Sequence, residues 1–281
     1  MRSFSQARKR RLARTGLMTI LVLAVIGGVT YAEWPRNEVS AKDSAASYPA
    51  LALQSPLITA TLPWTPSTTT STTTPPTTSP TASAKLIRRV STSEKVVALT
   101  FDDGPTHYTD DILAVLKKYK APATFFVVGK IAASNPERIA QLKAAGMEVE
   151  DHGWAHADLK DASYQAVLSE ITGPETVIGK SKYFRPPYGL FGQTIRKAAG
   201  SLGMTLVSWD VDTLDWSSKK ASAILSKVKA GVKPGSIVLM HDGGGDRSAT
   251  AAALPGVISW LRAQGYKLVT VDELVRQATA G

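Results

Sequence analysis

The hydrophobic and polar positions divide the chain into four unlike segments. Residues 1–15 are basic, and residues 16–34 begin with the uncharged apolar run GLMTILVLAVIGGVTYA. Residues 35–87 show no periodic apolar pattern and are rich in Thr, Ser and Pro. In residues 88–281, short β-branched runs alternate with segments of helical periodicity, which is typical of a folded domain.

The folded segment has the alternating pattern of an α/β protein. Strands are predicted at residues 95–101, 123–128, 148–150, 182–184, 205–208, 237–240 and 267–269. Helices are predicted at residues 109–119, 136–145, 161–179 with a break near 173–174, 191–202, 219–230, 249–264 and 271–278. Strands that alternate with helices form parallel sheets with crossover helices. About seven parallel strands favour a distorted or incomplete (β/α) barrel, with a doubly wound open sheet as the alternative.

The basic tail and the apolar run together predict a transmembrane anchor. Residues 1–15 carry +6 of the net charge of +10 and no acid. An apolar helix of about 17–25 residues spans a bilayer, and a basic flank stays on the cytoplasmic side. We therefore expect a single-pass cell-membrane protein with its C-terminal domain outside. The alternative is a signal peptide cleaved near residues 31–32, which would release a secreted protein.

Residues 35–87 have the composition of a spacer. They contain the stretch PWTPSTTTSTTTPPTTSPTASA, which has too little apolar surface to form a packed core. A flexible chain of about 50 residues spans roughly 40 Å. The segment is therefore predicted to be an extracellular linker that holds the folded domain away from the membrane.

Composition argues against cysteine chemistry and against nucleic-acid or nucleotide partners. The chain has no cysteine, which rules out disulfides, thiolate nucleophiles and cysteine-based zinc sites. The concentration of positive charge in residues 1–15 favours the inner membrane surface over a nucleic-acid groove. The glycine run 243–245 lacks the Lys-Ser/Thr of a phosphate-binding loop, so no nucleotide is expected.

Unusual polar clusters follow the predicted strands one after another. They are TFDDGP at 100–105, DHGWAH at 151–156, RPPYG at 185–189, DVDTLDW at 210–216 and HDGGG at 241–245. The carboxyl ends of parallel strands form one face of a β/α fold, and active sites lie on that face. The five clusters are therefore expected to build one site.

Histidines and paired carboxylates in these clusters suggest a metal site. Of the four histidines, His152 and His156 are four residues apart, and His241 ends a predicted strand. Imidazole and carboxylate are good ligands for zinc, and three protein ligands plus water form a catalytic site. In the pair Asp102-Asp103, a cation would offset the repulsion of adjacent charges. A solvated turn at Asp-Gly is the alternative for this pair. His107 is expected to be a surface residue at a helix start.

The clusters resemble the motifs of the polysaccharide deacetylases, the carbohydrate esterases with NodB homology. The motifs TFDDGP, H-x-x-x-H, RPPYG, D-x-x-D-W and I-x-L-x-H-D occur in the family's order, and the resemblance covers about residues 94–276. It implies a hydrolase that removes acetyl groups from a glycan with the help of a divalent metal ion. It carries no information about residues 1–87.

The resemblance implies a metal set and a general base. Asp103, His152 and His156 would bind zinc or a similar divalent ion. Asp102 would deprotonate the attacking water, and Arg185 would pair with Asp102 and hold its charge and orientation. These roles come from the family and not from the spacing alone.

The same resemblance implies a second catalytic pair and a substrate pocket. His241 would be the general acid that protonates the departing amine, and Asp215 would keep His241 protonated. The backbone N–H of Tyr188 would bind the oxyanion. Trp216 and Leu239 would shape the pocket around the acetyl methyl group.

One position departs from the family pattern. Members usually carry Ser or Thr directly after the first motif histidine, and this chain has Gly153. Because that hydroxyl is thought to brace the loop of the second histidine, its loss puts the rigidity of the loop in doubt.

The function expected from these residues is N-deacetylation of a cell-surface polysaccharide. Peptidoglycan amino sugars are the favoured substrate. A deacetylase of chitin oligomers or of an O-acetylated polysaccharide is one alternative, and a non-catalytic glycan-binding wall anchor is another. A glycosidase fits poorly, because its two carboxyl groups lie about 5–9.5 Å apart across a bond, unlike the adjacent Asp102 and Asp103.

Overall fold

The computed structural model describes residues 83–279 of the chain. The predicted tail at 1–15, the predicted anchor at 16–34 and most of the predicted linker at 35–87 lie outside the described residues. Within residues 83–279, no helix is both long enough and apolar enough to cross a bilayer.

Nine parallel strands form one sheet. They are β1 Leu86–Ile87, β2 Val96–Asp102, β3 Thr124–Val127, β4 Glu148–Asp151, β5 Tyr183–Phe184, β6 Thr205–Val207, β7 Val211–Asp212, β8 Ser236–His241 and β9 Lys267–Val269. All seven predicted strands are confirmed. The two that were missed, β1 and β7, have only two residues each, too few for a pattern of alternation to appear.

Nine helices and a short 3₁₀ turn connect the strands in the described part of the chain. The helices are α1 His107–Lys118, α2 Gly129–Ser134, α3 Pro136–Ala144, α4 Tyr164–Thr172, α5 Glu175–Ile178, α6 Gln193–Ser201, α7 Ala221–Gly231, α8 Ser248–Ala263 and α9 Val271–Thr279. The 3₁₀ turn is Pro187–Gly189. The predicted break near 173–174 is confirmed, since it separates α4 from α5. Only α2 was not predicted.

The strand order identifies an incomplete barrel and not a doubly wound sheet. The strands follow one another as β1-β6-β5-β4-β3-β2-β8-β7, and β9 also pairs with β2. From β2 to β6 the neighbours follow chain order, and β7 and β8 return to the other side of β2. The order of β2 to β8 therefore runs in one direction around the sheet, without the reversal of a doubly wound fold, and β1 adds to the edge at β6. The barrel is open because β1 and β7 do not pair.

Strand β2 is the centre of the fold. Its sequence VVALTFD is buried at every position, because β3, β8 and β9 flank it and helices cover the sheet. Burial on both faces explains why the strand is a continuous apolar run and not an alternating one. The rigid strand places its last residue, Asp102, at the carboxyl-terminal rim.

The folded domain begins before residue 88. Strand β1 pairs with β6 through Leu86 and Ile87, which belong to the last residues of the predicted linker. Ala84 is also buried, against the cluster around Phe184. The predicted boundary at 87/88 therefore falls inside the sheet, and the domain includes residues from Ala84 onward.

Candidate active site

Strand register brings the polar clusters to one rim of the barrel. Asp102, the last residue of β2, is the register partner of His241, the last residue of β8. Asp151 at the end of β4 is the partner of Phe184 at the end of β5. His152 and Arg185 directly follow these two residues, so they lie side by side at the ends of neighbouring strands. A cleft of about 740 Å³ opens at this rim.

Asp103, His152 and His156 converge at the base of the cleft. Asp103 Oδ1 lies 3.3 Å from His152 Nε2 and 3.1 Å from His156 Nε2. One ligand atom from each residue lies within 4.8 Å of the other two. Although burial raises the pKa of Asp103, the hydrogen bonds of the two imidazoles lower it well below its ordinary value.

The donor set fits a divalent cation. His152 Nδ1 lies 2.6 Å from the carbonyl oxygen of Arg185, so this nitrogen is committed to the backbone and Nε2 faces Asp103. In metal sites, a hydrogen bond from the ring nitrogen that does not face the metal fixes the orientation of the imidazole. Two imidazole nitrogens and one carboxylate oxygen, with the cleft on their open side, are the protein ligands of a catalytic zinc-type site.

Asp102 lies beside this group and is held by a buried arginine. Arg185 Nη1 donates to Asp102 Oδ1 at 2.6 Å and to Thr100 Oγ1 at 2.8 Å. The guanidinium is fully buried and stacks on Phe126, with its central carbon 4.0 Å from the ring centroid. Burial lowers the pKa of Arg185, and the negative charge of Asp102 opposes that effect. Arg185 therefore fixes the orientation of the Asp102 carboxyl group.

On the other side of the cleft, His241 is paired with Asp215. His241 Nδ1 lies 2.8 Å from Asp215 Oδ1, and Asp215 Oδ2 accepts from the backbone N–H of His241. Burial lowers the pKa of His241, but the hydrogen bond and charge of Asp215 outweigh it, so the pKa is raised. This arrangement commits Nδ1 to Asp215 and leaves Nε2 as the proton donor.

Thr250 supports this pair and was missed in the sequence. Its hydroxyl, on α8, donates to Asp215 Oδ2 at 2.7 Å and is fully buried. Because Thr250 lies 35 residues from Asp215 in the chain, no local sequence pattern links the two residues.

We expect Thr250→Val to lower kcat several-fold and the free energy of unfolding by about 1 kcal/mol, because one hydrogen bond to a buried carboxylate is lost. Steady-state kinetics and urea unfolding measure the two effects. Thr250→Ser keeps the hydroxyl and serves as the control. Equal kcat for the valine and serine variants would show that the hydroxyl does not act on the pair.

The remaining predicted site residues line the cleft. Leu239 is buried in its wall, whereas the side chains of Tyr188 and Trp216 are 66% and 55% exposed at its edge. Tyr188 packs edge-on against His156, with ring centroids 4.6 Å apart. Exposed aromatic rings therefore form part of the edge of the cleft.

Backbone strain concentrates at this rim. Of the five non-glycine residues with positive φ in residues 83–279, four lie at the site: Asp103, His156, Tyr188 and Leu214. Such conformations cost about 1–3 kcal/mol each and persist where the surroundings fix them. The surrounding contacts therefore hold these residues in place against a local preference.

Asp242 braces the loop that carries Asp102 and Asp103. It is fully buried, and its Oδ2 accepts from Thr109 Oγ1 at 2.5 Å, while its backbone oxygen accepts from Thr106 Oγ1. Burial raises the pKa of Asp242 to about 7. Gly104 has no space for a Cβ, which would lie 2.1 Å from Asp242 Oδ2.

Other polar residues of the clusters lie apart from the reacting groups. Asp210 accepts from the hydroxyl of Ser236 and from the backbone N–H of Ile237. Asp212 caps the turn at Leu214. His107 is exposed at the start of α1, as predicted.

Comparison with known proteins adds relatives of defined activity. A profile of the family described as polysaccharide deacetylase matches residues 89–207. A peptidoglycan-N-acetylglucosamine deacetylase from Bacillus cereus is 38% identical over 194 residues, which cover 66% of this chain and 91% of that protein. A chitooligosaccharide deacetylase from Bradyrhizobium is 36% identical over 196 residues, which cover 63% of this chain and 90% of that protein.

The fold is also shared with a solved structure of a pseudoenzyme. The CE4 family pseudoenzyme BA3943 from Bacillus anthracis superposes with a TM-score of 0.64 and 32% identity, over 68% of this chain and 69% of that one. Fold likeness therefore does not settle activity, which depends on the residues of the site. The identity to the Bacillus cereus relative, over nearly its whole length, shows that this chain belongs to the polysaccharide deacetylase family.

Proposed function

We propose that this protein is a metal-dependent N-deacetylase of peptidoglycan amino sugars. One observation carries the proposal: Asp103, His152 and His156 converge within 4.8 Å, with Asp102 on the strand beside His241 at the same rim. The similarity to a peptidoglycan-N-acetylglucosamine deacetylase supports the substrate class.

Asp103, His152 and His156 would hold the cation. When bound, a divalent ion such as zinc would polarise the acetyl carbonyl and lower the pKa of a water ligand. Asp102 accepts the proton of the attacking water, and its pairing with Arg185 keeps this carboxylate oriented. The adjacent aspartates thus divide their roles, one as ligand and one as base.

The amine requires a proton as it departs, because the deprotonated amine, RNH⁻, is a poor leaving group. His241 donates this proton to the nitrogen from Nε2, and Asp215 stabilises the charged imidazole beforehand. The backbone N–H of Tyr188 donates to the oxyanion. Leu239 and Trp216 receive the acetyl methyl group.

The N-terminal segments determine where this chemistry takes place. We propose that residues 16–34 hold the protein in the cell membrane and that residues 35–87 extend the domain outward to the wall. The apolar run, its basic flank and the Thr/Ser/Pro composition support this location. It is tested by protease treatment of intact cells, which should release the C-terminal domain only if it is extracellular.

A deacetylase of chitin oligomers is the second candidate, because the chitooligosaccharide deacetylase is almost as similar as the peptidoglycan relative. A non-catalytic wall anchor is less well supported, since all three cation-binding groups, Asp102 and His241 are present. It would bind peptidoglycan without releasing acetate.

Metal removal gives the direct test of the proposal. We expect the full-length protein to release acetate from purified peptidoglycan and to lose at least 90% of this activity in a chelator, because Asp102 alone cannot activate water sufficiently. Added Zn²⁺ should restore it. Acetate release and freed amines are counted in parallel on peptidoglycan, chitin oligomers and an O-acetylated glycan. Full activity in the chelator, or none on any N-acetylated glycan, would contradict the proposal.

A further inference from the structure

The loop between the two candidate histidine ligands is held by several backbone hydrogen bonds. Gly153 N donates to Asp151 Oδ1 at 2.6 Å. The carbonyl oxygens of Gly153 and Trp154 accept from the first two residues of α2, at 2.9 and 2.8 Å. The side chain of Trp154 packs against Gly129 and Gly173, where a Cβ would lie 2.7 and 2.9 Å from it. The first half of the loop is therefore fixed from two sides.

The second half of the loop depends on a single carboxylate. Ala155 N, directly before His156, donates to Glu170 Oε2 at 2.9 Å. Glu170 lies on α4, and a Cβ at Gly153 would lie 3.1 Å from the same oxygen. The carboxylate thus occupies the space that a side chain at residue 153 would need. With φ at +84°, residue 153 also has the backbone conformation that favours glycine.

His156 needs such a restraint more than His152 does. His152 is buried, and its Nδ1 is bound to the carbonyl oxygen of Arg185. The side chain of His156 is 26% exposed, and its backbone has a φ of +55°. A left-handed histidine relaxes to an extended or helical conformation unless its neighbours prevent this. The bond from Ala155 to Glu170 acts on the peptide next to that strained residue.

We propose that Glu170 is a positioning residue, which fixes His156 for cation binding through the backbone of Ala155. The inference rests on the cation site of the proposed function and adds a residue outside the five motifs. It also answers the doubt raised by Gly153, because the brace comes from a carboxylate on α4 and not from a hydroxyl at residue 153.

The test is Zn²⁺ binding to the full-length protein, measured by competition with a chromogenic chelator. Glu170→Ala should weaken Zn²⁺ binding about tenfold, as loss of an indirect support does. Glu170→Gln keeps an acceptor for Ala155 N and should bind Zn²⁺ within twofold of wild type. Glu175→Ala removes the same charge from the neighbouring helix α5 and should also bind like wild type.

The variants separate the possible failures. Wild-type affinity in Glu170→Ala would overturn the role of Glu170 while leaving the cation site intact. Equal weakening in Glu175→Ala would show a general charge effect and would also overturn it. If Glu170→Ala does not fold, Glu170→Asp decides, because its shorter carboxylate cannot reach Ala155 N. Zn²⁺ binding no tighter in wild type than in His156→Ala would refute the cation site itself, and this role with it.

Discussion

Asp102→Asn is expected to lower kcat for peptidoglycan deacetylation by about 10²–10⁴-fold, the usual contribution of a general base. The amide keeps an oxygen that accepts from Arg185 Nη1, so the buried guanidinium retains a partner and the protein folds. Because Asp102 is not among the three converging ligands, Zn²⁺ affinity should remain within a few-fold of wild type. Steady-state kinetics and Zn²⁺ competition on the same preparation measure both quantities.

Asp103→Asn is the matched control for this result. It changes the adjacent residue by the same single charge, but it removes an anionic ligand that lies 3.1 and 3.3 Å from two imidazole nitrogens. We expect weak Zn²⁺ binding and low activity that added Zn²⁺ partly restores. If Zn²⁺ restored Asp102→Asn in the same way, the assignment of base and ligand to the two aspartates would be wrong.

The sequence pattern predicted the long elements of the barrel and missed the shortest ones. Strand β2 and helix α8 have enough residues for a clear pattern, and both were predicted to within a few residues. The strands β1 and β7 are held by pairing with β6 and β8, which no local pattern records. Helix α2 has only six residues and no side-chain cap. Its contacts with the loop after His152 come from tertiary packing.

In the candidate site, too, the sequence predicted some residues and missed others. Its reacting groups were found because each follows a strand, and parallel strands bring their carboxyl ends together. Their supports were not found, because Thr250 and Glu170 lie on helices and meet the site only through the packing of those helices. The pairing of Asp102 with Arg185 was expected only from the family resemblance. The distances supply what neither pattern nor resemblance contains, namely which oxygen of Asp102 accepts from Arg185 and which oxygen of Asp103 faces the two imidazoles.

His241→Ala should reduce kcat on N-acetylated glycan by about 10²–10⁴-fold, because the amine then leaves without a general acid. A substrate with an activated ester, 4-nitrophenyl acetate, has a leaving group that needs no proton. Its hydrolysis should fall less than tenfold in the same variant. Equal losses on both substrates would mean that His241 acts before the leaving group departs, and the general-acid role would be wrong.

Asp215→Asn tests the source of the acidity of His241. Asp215 raises the pKa of His241, so wild-type activity should fall as the pH rises through a value above the ordinary imidazole pKa. The asparagine variant lacks the charge, and its amide NH2 cannot accept a hydrogen bond as the carboxylate oxygen does. Its loss of kcat should therefore begin at lower pH. The loss relative to wild type is therefore larger at pH 8 than at pH 6. A pH profile of kcat that keeps its alkaline limb in Asp215→Asn would show that another group donates the proton.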